Sequence, residues 1–138
     1  MSRRLSREIA FKVLFQVDVG KCTSRTALLH SMEGFKLTDQ EQQFVQEVID
    51  GTLANLGDID QIIKNHLINW KLERLPAVNR NLLRLALYEI IYRTDIPLAV
   101  SINEALELAR KYGSSEEGVA FINSVLDRAS GQNVQGGD

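Results

Sequence analysis

Few residues in this 138-residue sequence are of the types that catalysis or metal binding needs. The two histidines are His30 and His66. The residues three positions before them are alanine and isoleucine, so the sequence lacks the Glu-x-x-His pairs that bind di-iron centres in helical bundles. The single cysteine, Cys22, excludes an internal disulfide and a cysteine-based zinc site. We therefore expect no catalytic residue, no metal site and no cofactor.

Two short motifs resemble chemical sites but lack their key residues. Segment 113–118 has the glycine spacing of a phosphate-binding loop, but Val119 and Ala120 stand where that loop requires lysine and serine or threonine. Glu104 and Glu107 are spaced like a carboxylate pair, but at the start of a predicted helix they serve capping and the helix dipole first. We interpret both motifs as structural. His66 is expected to be a hydrogen-bonded residue in or at the edge of the core.

Three arginines near the start, Arg3, Arg4 and Arg7, are suited to binding instead. A guanidinium group forms two parallel hydrogen bonds to a phosphate and stacks on exposed bases. Positive charge at the amino end of a helix opposes the helix dipole, so these arginines cost stability where they stand. They predict an arm that contacts single-stranded RNA. A solvated, partly disordered terminus explains the same charges equally well.

The net charge of −2 conceals this basic arm. Taken together, 16 Lys and Arg against 18 Asp and Glu argue against a nucleic-acid-binding protein. The charges are unevenly distributed, however: segments 1–12 and 71–93 are basic, whereas segment 33–60 is acidic. The leading hypothesis is that the arginine arm and a surface around Arg80 and Arg84 form one continuous footprint for RNA.

About seven helices are expected to position these residues. Only 2 Pro and 9 Gly interrupt the chain, and apolar residues recur at helical spacing without sustained alternation. The predicted fold class is all-α: a compact bundle in two packed helical subdomains, residues 1–56 and 57–130. A disordered tail is predicted for residues 131–138. No apolar run is long enough to span a membrane, and a cytoplasmic protein is expected.

Two apolar patterns and three capping signals define individual helices. The apolar positions of segment 59–70 fit the helical period and predict one helix that contains His66. Segment 82–91 is apolar around most of its circumference, so its helix is expected at the centre of the bundle. Serine or threonine followed three residues later by glutamate predicts a capping box. Such boxes occur at Thr38–Glu41, Ser101–Glu104 and Ser114–Glu117.

Several sequence blocks, taken in order, are specific to one family. They are Arg3-Arg4-x-x-Arg7-Glu8, Val13-Leu14-Phe15-Gln16, Ile59-Asp60-x-x-Ile63, Leu82-Leu83-Arg84-Leu85-Ala86-Leu87-Tyr88-Glu89, Ile96-Pro97, Ile102-Asn103-Glu104-Ala105-x-Glu107-Leu108-Ala109 and Phe121-Ile122-Asn123-x-Val125-Leu126-Asp127. Together they resemble the NusB family of bacterial transcription antitermination factors. The resemblance runs from about Arg3 to Ala129, which is nearly the whole chain.

The resemblance implies an all-helical, non-catalytic RNA-binding protein that pairs with the small-subunit ribosomal protein NusE. The pair would bind the boxA element, a single-stranded RNA, in nascent ribosomal RNA transcripts. Within the RNA polymerase antitermination complex, it would promote transcription through terminators. In the family, RNA contacts the arginine-rich start and the beginning of the last helix, and two further positions match less closely. The corresponding residues here are Arg3, Arg4 and Arg7, then Glu117 and Phe121, and less closely His66 and Arg84.

Asn79 and Arg80, at the start of the central helix, are the predicted contacts for the protein partner. Some relatives carry an acidic residue there, and this chain departs from that pattern. Phe121 lies to one side of the apolar stripe of its helix, which is compatible with an exposed edge that touches a base and with partial burial in the core. The alternative functions are a non-catalytic protein-interaction module and an accessory domain for an RNA-modifying enzyme.

Overall fold

Seven α-helices and one short 3-10 turn make up the described part of the chain. The computed structural model describes residues 3–68 and 70–137, with side chains only as far as 131. The helices are α1 (Arg3–Gly20), α2 (Ser24–Ser31), α3 (Asp39–Ala54), α4 (Leu56–Asn65), α5 (Ala77–Tyr92), α6 (Leu98–Lys111) and α7 (Glu116–Gly137). The 3-10 turn, Leu72–Arg74, lies between α4 and α5. No strand occurs in these residues, and the all-α prediction is confirmed.

Helix α5 lies at the centre of the bundle. It packs against α1, α3, α4, α6 and α7. Leu82, Leu83 and Leu87 are fully buried among these helices. Each leucine buried in this way contributes about 1.5–3 kcal/mol of hydrophobic stabilisation. The predicted central position of segment 82–91 is therefore confirmed.

Helix α1 runs antiparallel to α5. Arg7, near the start of α1, pairs with Glu89, near the end of α5, at 3.0 Å. Asp18, near the end of α1, pairs with Arg80, near the start of α5, at 2.7 Å. The arginine-rich start of α1 therefore packs against the C-terminal end of α5. The last turn of α1 packs against the N-terminal end of α5.

Two of the predicted capping boxes have opposite outcomes. Thr38 N donates to Glu41 Oε1 at 2.8 Å and Glu41 N donates to Thr38 Oγ1 at 3.1 Å, so this box is confirmed. The box predicted at Ser101 is wrong, because α6 begins three residues earlier, at Leu98, and Ser101 is buried inside it. The Ser101 hydroxyl donates instead to Glu89 at 3.1 Å, a contact that a local pattern does not reveal.

The box predicted at Ser114–Glu117 is wrong, because the helix is capped one residue later, by Ser115, and its third residue is Gly118. Ser115 Oγ accepts a hydrogen bond from Gly118 N at 3.0 Å. Ser114 Oγ donates to Asn79 Oδ1 at 2.6 Å. Because Ser114 is engaged by α5, its neighbour takes the capping role that the sequence assigns to Ser114.

Helix α4 ends earlier than its apolar stripe predicts. Its last residue is Asn65, and His66 follows as the C-cap, with Nδ1 2.9 Å from the carbonyl oxygen of Ile62. Segment 66–76 then leads to α5. The carbonyl oxygens in this segment that accept hydrogen bonds from Arg80 Nη1 belong to Leu72, Glu73 and Leu75. Trp70 therefore lies outside the helix and is exposed, contrary to the predicted helix over 59–70.

One continuous core joins the two predicted parts of the chain. The same cluster of buried apolar side chains contains Ile9 and Val48 of the first part and Leu82 and Ile122 of the second. The predicted boundary lies at the start of α4. The division into two subdomains stays a prediction.

The end of the chain falls largely outside the description. Helix α7 is assigned as far as Gly137. The side chains of 132–137 and all of residue 138 lie outside the described residues, so the predicted disorder of residues 131–138 stays a prediction.

Candidate functional site

Arg7 lies in the core rather than on an exposed arm. It is 4% exposed, and its Nε donates to both carboxylate oxygens of Glu89, at 3.1 and 3.0 Å. Ser101 Oγ donates to the same carboxylate. A cation buried in this way requires a charged, hydrogen-bonded partner. The guanidinium of Arg7 is thus bound inside the protein, and the RNA contact expected for it stays a prediction.

Arg3 and Arg4 are on the surface at the start of α1. The Arg4 side chain is 68% exposed, and its guanidinium donates two hydrogen bonds to Glu104, at 3.0 and 2.8 Å. These hydrogen bonds lower the pKa of the Glu104 carboxyl below its usual value. The Arg3 guanidinium lies 4.6 Å from the centre of the Phe44 ring and 3.9 Å from Asp95. Both arginines keep an exposed side on which they can bind a phosphate.

A cavity of about 300 Å³ opens beside Arg3 at the C-terminal end of α5. Its lining includes Arg3, Gln40, Gln43, Phe44 and Arg93. The guanidinium groups of Arg3, Arg7 and Arg93 lie 4.6, 5.5 and 5.2 Å from the centre of the Phe44 ring. These distances are those of cation–π interactions. The start of α1 is thus fixed by three arginines gathered around one aromatic ring.

Arg80 and Arg84 form a largely buried charge network with two carboxylates of other helices. Arg80 Nη2 lies 2.7 Å from Asp18 Oδ2, and Arg84 donates two hydrogen bonds to Asp60, at 2.8 and 2.9 Å. The arginine side chains are 12% and 11% exposed. Two arginines and two aspartates balance in charge, and they lie away from the arginine-rich start of α1. Both arginines are therefore engaged within the protein, and the continuous RNA footprint expected from the sequence stays a prediction.

Asp18 is expected to make folding stability sensitive to acid. Burial acts to raise the pKa of its carboxyl, but hydrogen bonds from Asn81 and Arg80 and the charge of Arg84 outweigh burial and lower the pKa. Such a carboxyl stabilises the fold above its unfolded pKa of about 3.9, and the stabilisation is lost as the pH falls through the folded pKa. At pH 7, Asp18→Asn should therefore lower the free energy of unfolding by about 1–3 kcal/mol.

Urea unfolding of both proteins between neutral and acid pH measures this effect. The difference between the wild type and Asp18→Asn should shrink below about pH 4, where the wild-type carboxyl becomes protonated. A difference that stays constant with pH would contradict the assignment of this stabilisation to the ionised carboxylate.

A second cavity, the aromatic groove, lies at the N-terminal end of α5. Its volume is about 310 Å³, and its walls are formed by residues 67, 68, 70, 75 and 76, by the start of α5 and by the start of α7. The lining includes Ile68, Trp70, Leu75, Asn79, Glu117 and Phe121. The structure therefore brings together three of the residues selected from the sequence, Asn79, Glu117 and Phe121.

Trp70 and Phe121 provide the aromatic walls of this groove. Trp70 is 64% exposed, whereas Phe121 is half-buried and packs against the core. Both alternatives for Phe121 are thus partly met, because the same ring contacts the core and lines the groove. Exposed aromatic rings bind nucleic-acid bases by stacking. Glu117 is exposed beside them, and its carboxylate can accept hydrogen bonds from amino groups.

Asn79 supports the groove from the side of α5. It is buried, and its Oδ1 accepts the hydrogen bond from Ser114. A Cβ atom placed on Gly118 would lie 2.9 Å from Asn79 Nδ2. Glycine at this position therefore allows α7 to pack closely against α5, so that the two helices together form one side of the groove.

Sequence reasoning missed Ile68 and Trp70 as groove residues. The helical stripe of segment 59–70 assigns Trp70 to the core, and the early end of α4 removes it from there. Ile68 is an apolar residue outside that stripe. An apolar residue on the polar side of a predicted helix is a sequence signal against a helix at this point. His66 is half-buried at the end of α4, next to the groove but not in its lining.

The two ends of α5 gather arginines and aromatic rings, the side chains that bind phosphates and bases. Within the described residues, no group of three His, Cys, Asp or Glu side chains is placed to hold a metal ion. None of the described helices combines the length and the apolar character that a membrane crossing requires.

Comparison with known proteins gives closely similar sequences over nearly the whole chain. The model of the NusB family matches residues 4–130. The transcription antitermination protein NusB of Desulforudis audaxviator is 44% identical over 128 residues, which cover 93% of this chain and 92% of the relative. The protein of the same description from Pelotomaculum thermopropionicum is 45% identical over 128 residues, which cover 93% and 88%.

Solved structures have the same fold. NusB of T. maritima superposes with a TM-score of 0.86 at 36% identity and covers 94% of this chain and 91% of its own. A chain in a crystal structure of the antitermination factors NusB and NusE in complex with double-stranded RNA has a TM-score of 0.85 at 26% identity and covers 94% and 96%. With a family model matched over residues 4–130 and relatives at 44% and 45% identity, the chain belongs to the NusB family.

Proposed function

We propose that this protein is a non-catalytic transcription antitermination factor that binds the boxA RNA of nascent ribosomal RNA transcripts together with NusE. It would act in the cytoplasm, within the antitermination complex of RNA polymerase. The observation that carries this proposal is the aromatic groove, in which Trp70 and Phe121 lie beside Glu117. The likeness to a chain solved in a complex of NusB, NusE and double-stranded RNA supports it.

The groove is proposed to receive bases rather than phosphates. Stacking on an exposed aromatic ring contributes about 1–3 kcal/mol per base. The carboxylate of Glu117 repels phosphates but accepts hydrogen bonds from the amino groups of bases. Base edges therefore face Glu117, and the RNA backbone lies on the outer side.

Arg3 and Arg4 are proposed to bind the phosphates of the same RNA. Arg4 pairs with Glu104 in the middle of α6, and α6 ends at Lys111, a few residues before the groove residue Ser115. From Glu104 to Lys111 the helix rises by about 10 Å. An RNA that leaves the groove along α6 therefore reaches Arg4. Arg7 is proposed to support RNA binding indirectly, because its buried ion pair anchors α1. Arg84 is proposed to do so by joining α4 to α5 through its ion pair with Asp60.

The salt dependence of RNA binding is expected to report on these two arginines. Each phosphate neutralised on a single strand contributes about −0.7 to the slope of log affinity against log salt. Arg3→Gln combined with Arg4→Gln should therefore flatten the slope by about 1.4. A matched control replaces Lys36 and Arg128 by glutamine, because both are exposed cations outside the cavities described above. An unchanged slope in the Arg3 and Arg4 variant would remove both residues from the RNA site.

Asn79 and Arg80 are proposed to affect NusE binding through the shape of the surface. The Arg80 guanidinium is already held by Asp18 and by three carbonyl groups, and the Asn79 amide by Ser114. The Arg80 charge is thus already paired, and the asparagine side chain is uncharged, so neither offers an unpaired charge to a protein partner. We infer that NusE contacts the surface that these residues support at the N-terminal end of α5.

Titration of labelled boxA RNA against the protein, with and without NusE, tests the proposed function. We expect saturable binding that is tighter with NusE and weaker for a scrambled RNA of equal length. Absence of RNA binding in both mixtures would overturn the proposal and leave a protein-interaction module. Tight binding of unrelated RNA, without an effect of NusE, would favour an accessory domain for an RNA-modifying enzyme.

A further inference from the structure

A third cavity, the basic cavity, is lined by other residues of segment 66–76 than those that line the aromatic groove. Its volume is about 440 Å³, and it is formed by the end of α1, by α4, by the start of α5 and by part of segment 66–76. Its floor is the balanced network of Arg80 and Arg84 with Asp18 and Asp60. The cation on the α1 side is Lys21 and the one on the α4 side is Lys64, and both are exposed.

The rim of this cavity carries an excess of positive charge. Among the described residues, Lys21, Lys64, Lys71 and Arg74 take part in no ion pair. All four are exposed; Lys21 and Lys64 line the cavity, whereas Lys71 and Arg74 are neighbours in sequence of its lining residues Leu72 and Glu73. The carboxylate that lines the same rim is Glu73. Within the lining, two unpaired lysines against one carboxylate leave the rim with a net positive charge, which attracts an anionic chain.

Lys21 has a backbone conformation that favours glycine. It follows Gly20, the last residue of α1, and its φ is +56°. Non-glycine residues adopt this left-handed conformation at a cost in folding free energy, and glycine is the common residue at this position after a helix. A lysine here places a charge on the cavity rim at the expense of stability, a combination that points to a binding role.

The aromatic groove and the basic cavity are neighbours across segment 66–76. Trp70 lines the groove and Leu72 lines the cavity. Two residues of chain span at most about 7 Å. Arg80 fixes this arrangement, because its guanidinium holds the carbonyl groups of Leu72, Glu73 and Leu75 while lining the cavity floor.

We propose that the basic cavity binds the phosphate backbone of nucleotides that flank the boxA sequence, where the RNA strand crosses segment 66–76 out of the aromatic groove. This inference rests on the proposed function. RNA fits the cavity better than an acidic protein segment does, because the cavity adjoins the proposed base-binding groove and its rim lysines bind phosphates as point charges. The exposed Val19 in the lining offers an apolar contact for a base or ribose.

The test compares two RNAs, boxA alone and boxA extended by about five nucleotides at each end, over a range of salt concentrations. If two more phosphates are neutralised, the slope of log affinity against log salt for the extended RNA is steeper by about 1.4. A tenfold decrease in salt then widens the affinity ratio of the two RNAs by about 25-fold. The variant Lys21→Gly combined with Lys64→Gln should bind both RNAs with the slope of boxA alone.

The choice of substitution separates binding from folding. Lys21→Gly removes the charge but relaxes the backbone, so the thermal midpoint of this variant should not fall.

The control variant, Lys36→Gln with Arg128→Gln, should retain the steeper slope with the extended RNA. Equal slopes for both RNAs in the wild type, with boxA itself bound, would overturn this inference and leave the proposed function intact. Loss of the extra slope in the control as well would show a general charge effect and also overturn it. Failure of the wild type to bind either RNA would overturn both proposals.

Discussion

Replacement of Glu89 by alanine is expected to lower the free energy of unfolding by about 3–5 kcal/mol. Glu89 is 1% exposed and accepts hydrogen bonds from Arg7 and Ser101. Without it, the Arg7 guanidinium is left buried with no charged partner, which is among the most destabilising changes in a protein core. Because Arg7 and Glu89 join the start of α1 to the end of α5, this loss should release the arginine-rich start as well.

Urea unfolding of Glu89→Ala measures this loss. Glu104→Ala is the matched control, since it breaks the ion pair of the neighbouring but exposed Arg4 and should change stability little. A second variant, Arg7→Met with Glu89→Leu, should recover most of the lost stability because it leaves no unpaired charge. If Glu89→Ala were no more destabilising than Glu104→Ala, the buried pair would not have the anchoring role assigned to it.

Replacement of Trp70 by alanine is expected to weaken boxA RNA binding about 5- to 150-fold, which corresponds to about 1–3 kcal/mol. The unfolding free energy should change little, because most of the Trp70 side chain is exposed. Phe121→Ala should weaken RNA binding to a similar degree and also lower stability, since that ring packs against the core. Anisotropy titrations and urea unfolding of the same samples measure both effects.

Phe35→Ala is the control for this prediction. Phe35 is an exposed aromatic residue outside the groove, where the ammonium group of Lys12 lies 6.0 Å from its ring centre. Its removal should leave RNA binding unchanged. Equal affinities of the wild type and Trp70→Ala for boxA RNA would exclude base stacking on Trp70.

The parts of the fold that depend on local sequence were predictable. The apolar circumference of segment 82–91 can be satisfied only where other helices surround it, and α5 is central. The capping box of Thr38 and Glu41 spans four residues, so no distant contact is needed to form it.

The remaining features depend on contacts between residues far apart in the sequence. Arg7 has the same residue type and neighbourhood as Arg3 and Arg4, and its burial is decided by Glu89, 82 residues away. Trp70 continues a helical stripe, but α4 ends at Asn65, and the chain beyond Trp70 is held by hydrogen bonds from Arg80 to Leu72 and Leu75. Ser101 satisfies the local rule for a cap and is used instead by a buried carboxylate.

The central claim, that RNA bases lie in the aromatic groove, is tested most directly by the intrinsic fluorescence of Trp70. The chain has a single tryptophan, so its emission reports on the groove alone. Titration with boxA RNA should quench this emission to saturation, with the same dissociation constant that labelled RNA gives in anisotropy. Emission that stays unchanged while labelled RNA binds would show that the RNA lies elsewhere and would contradict this account.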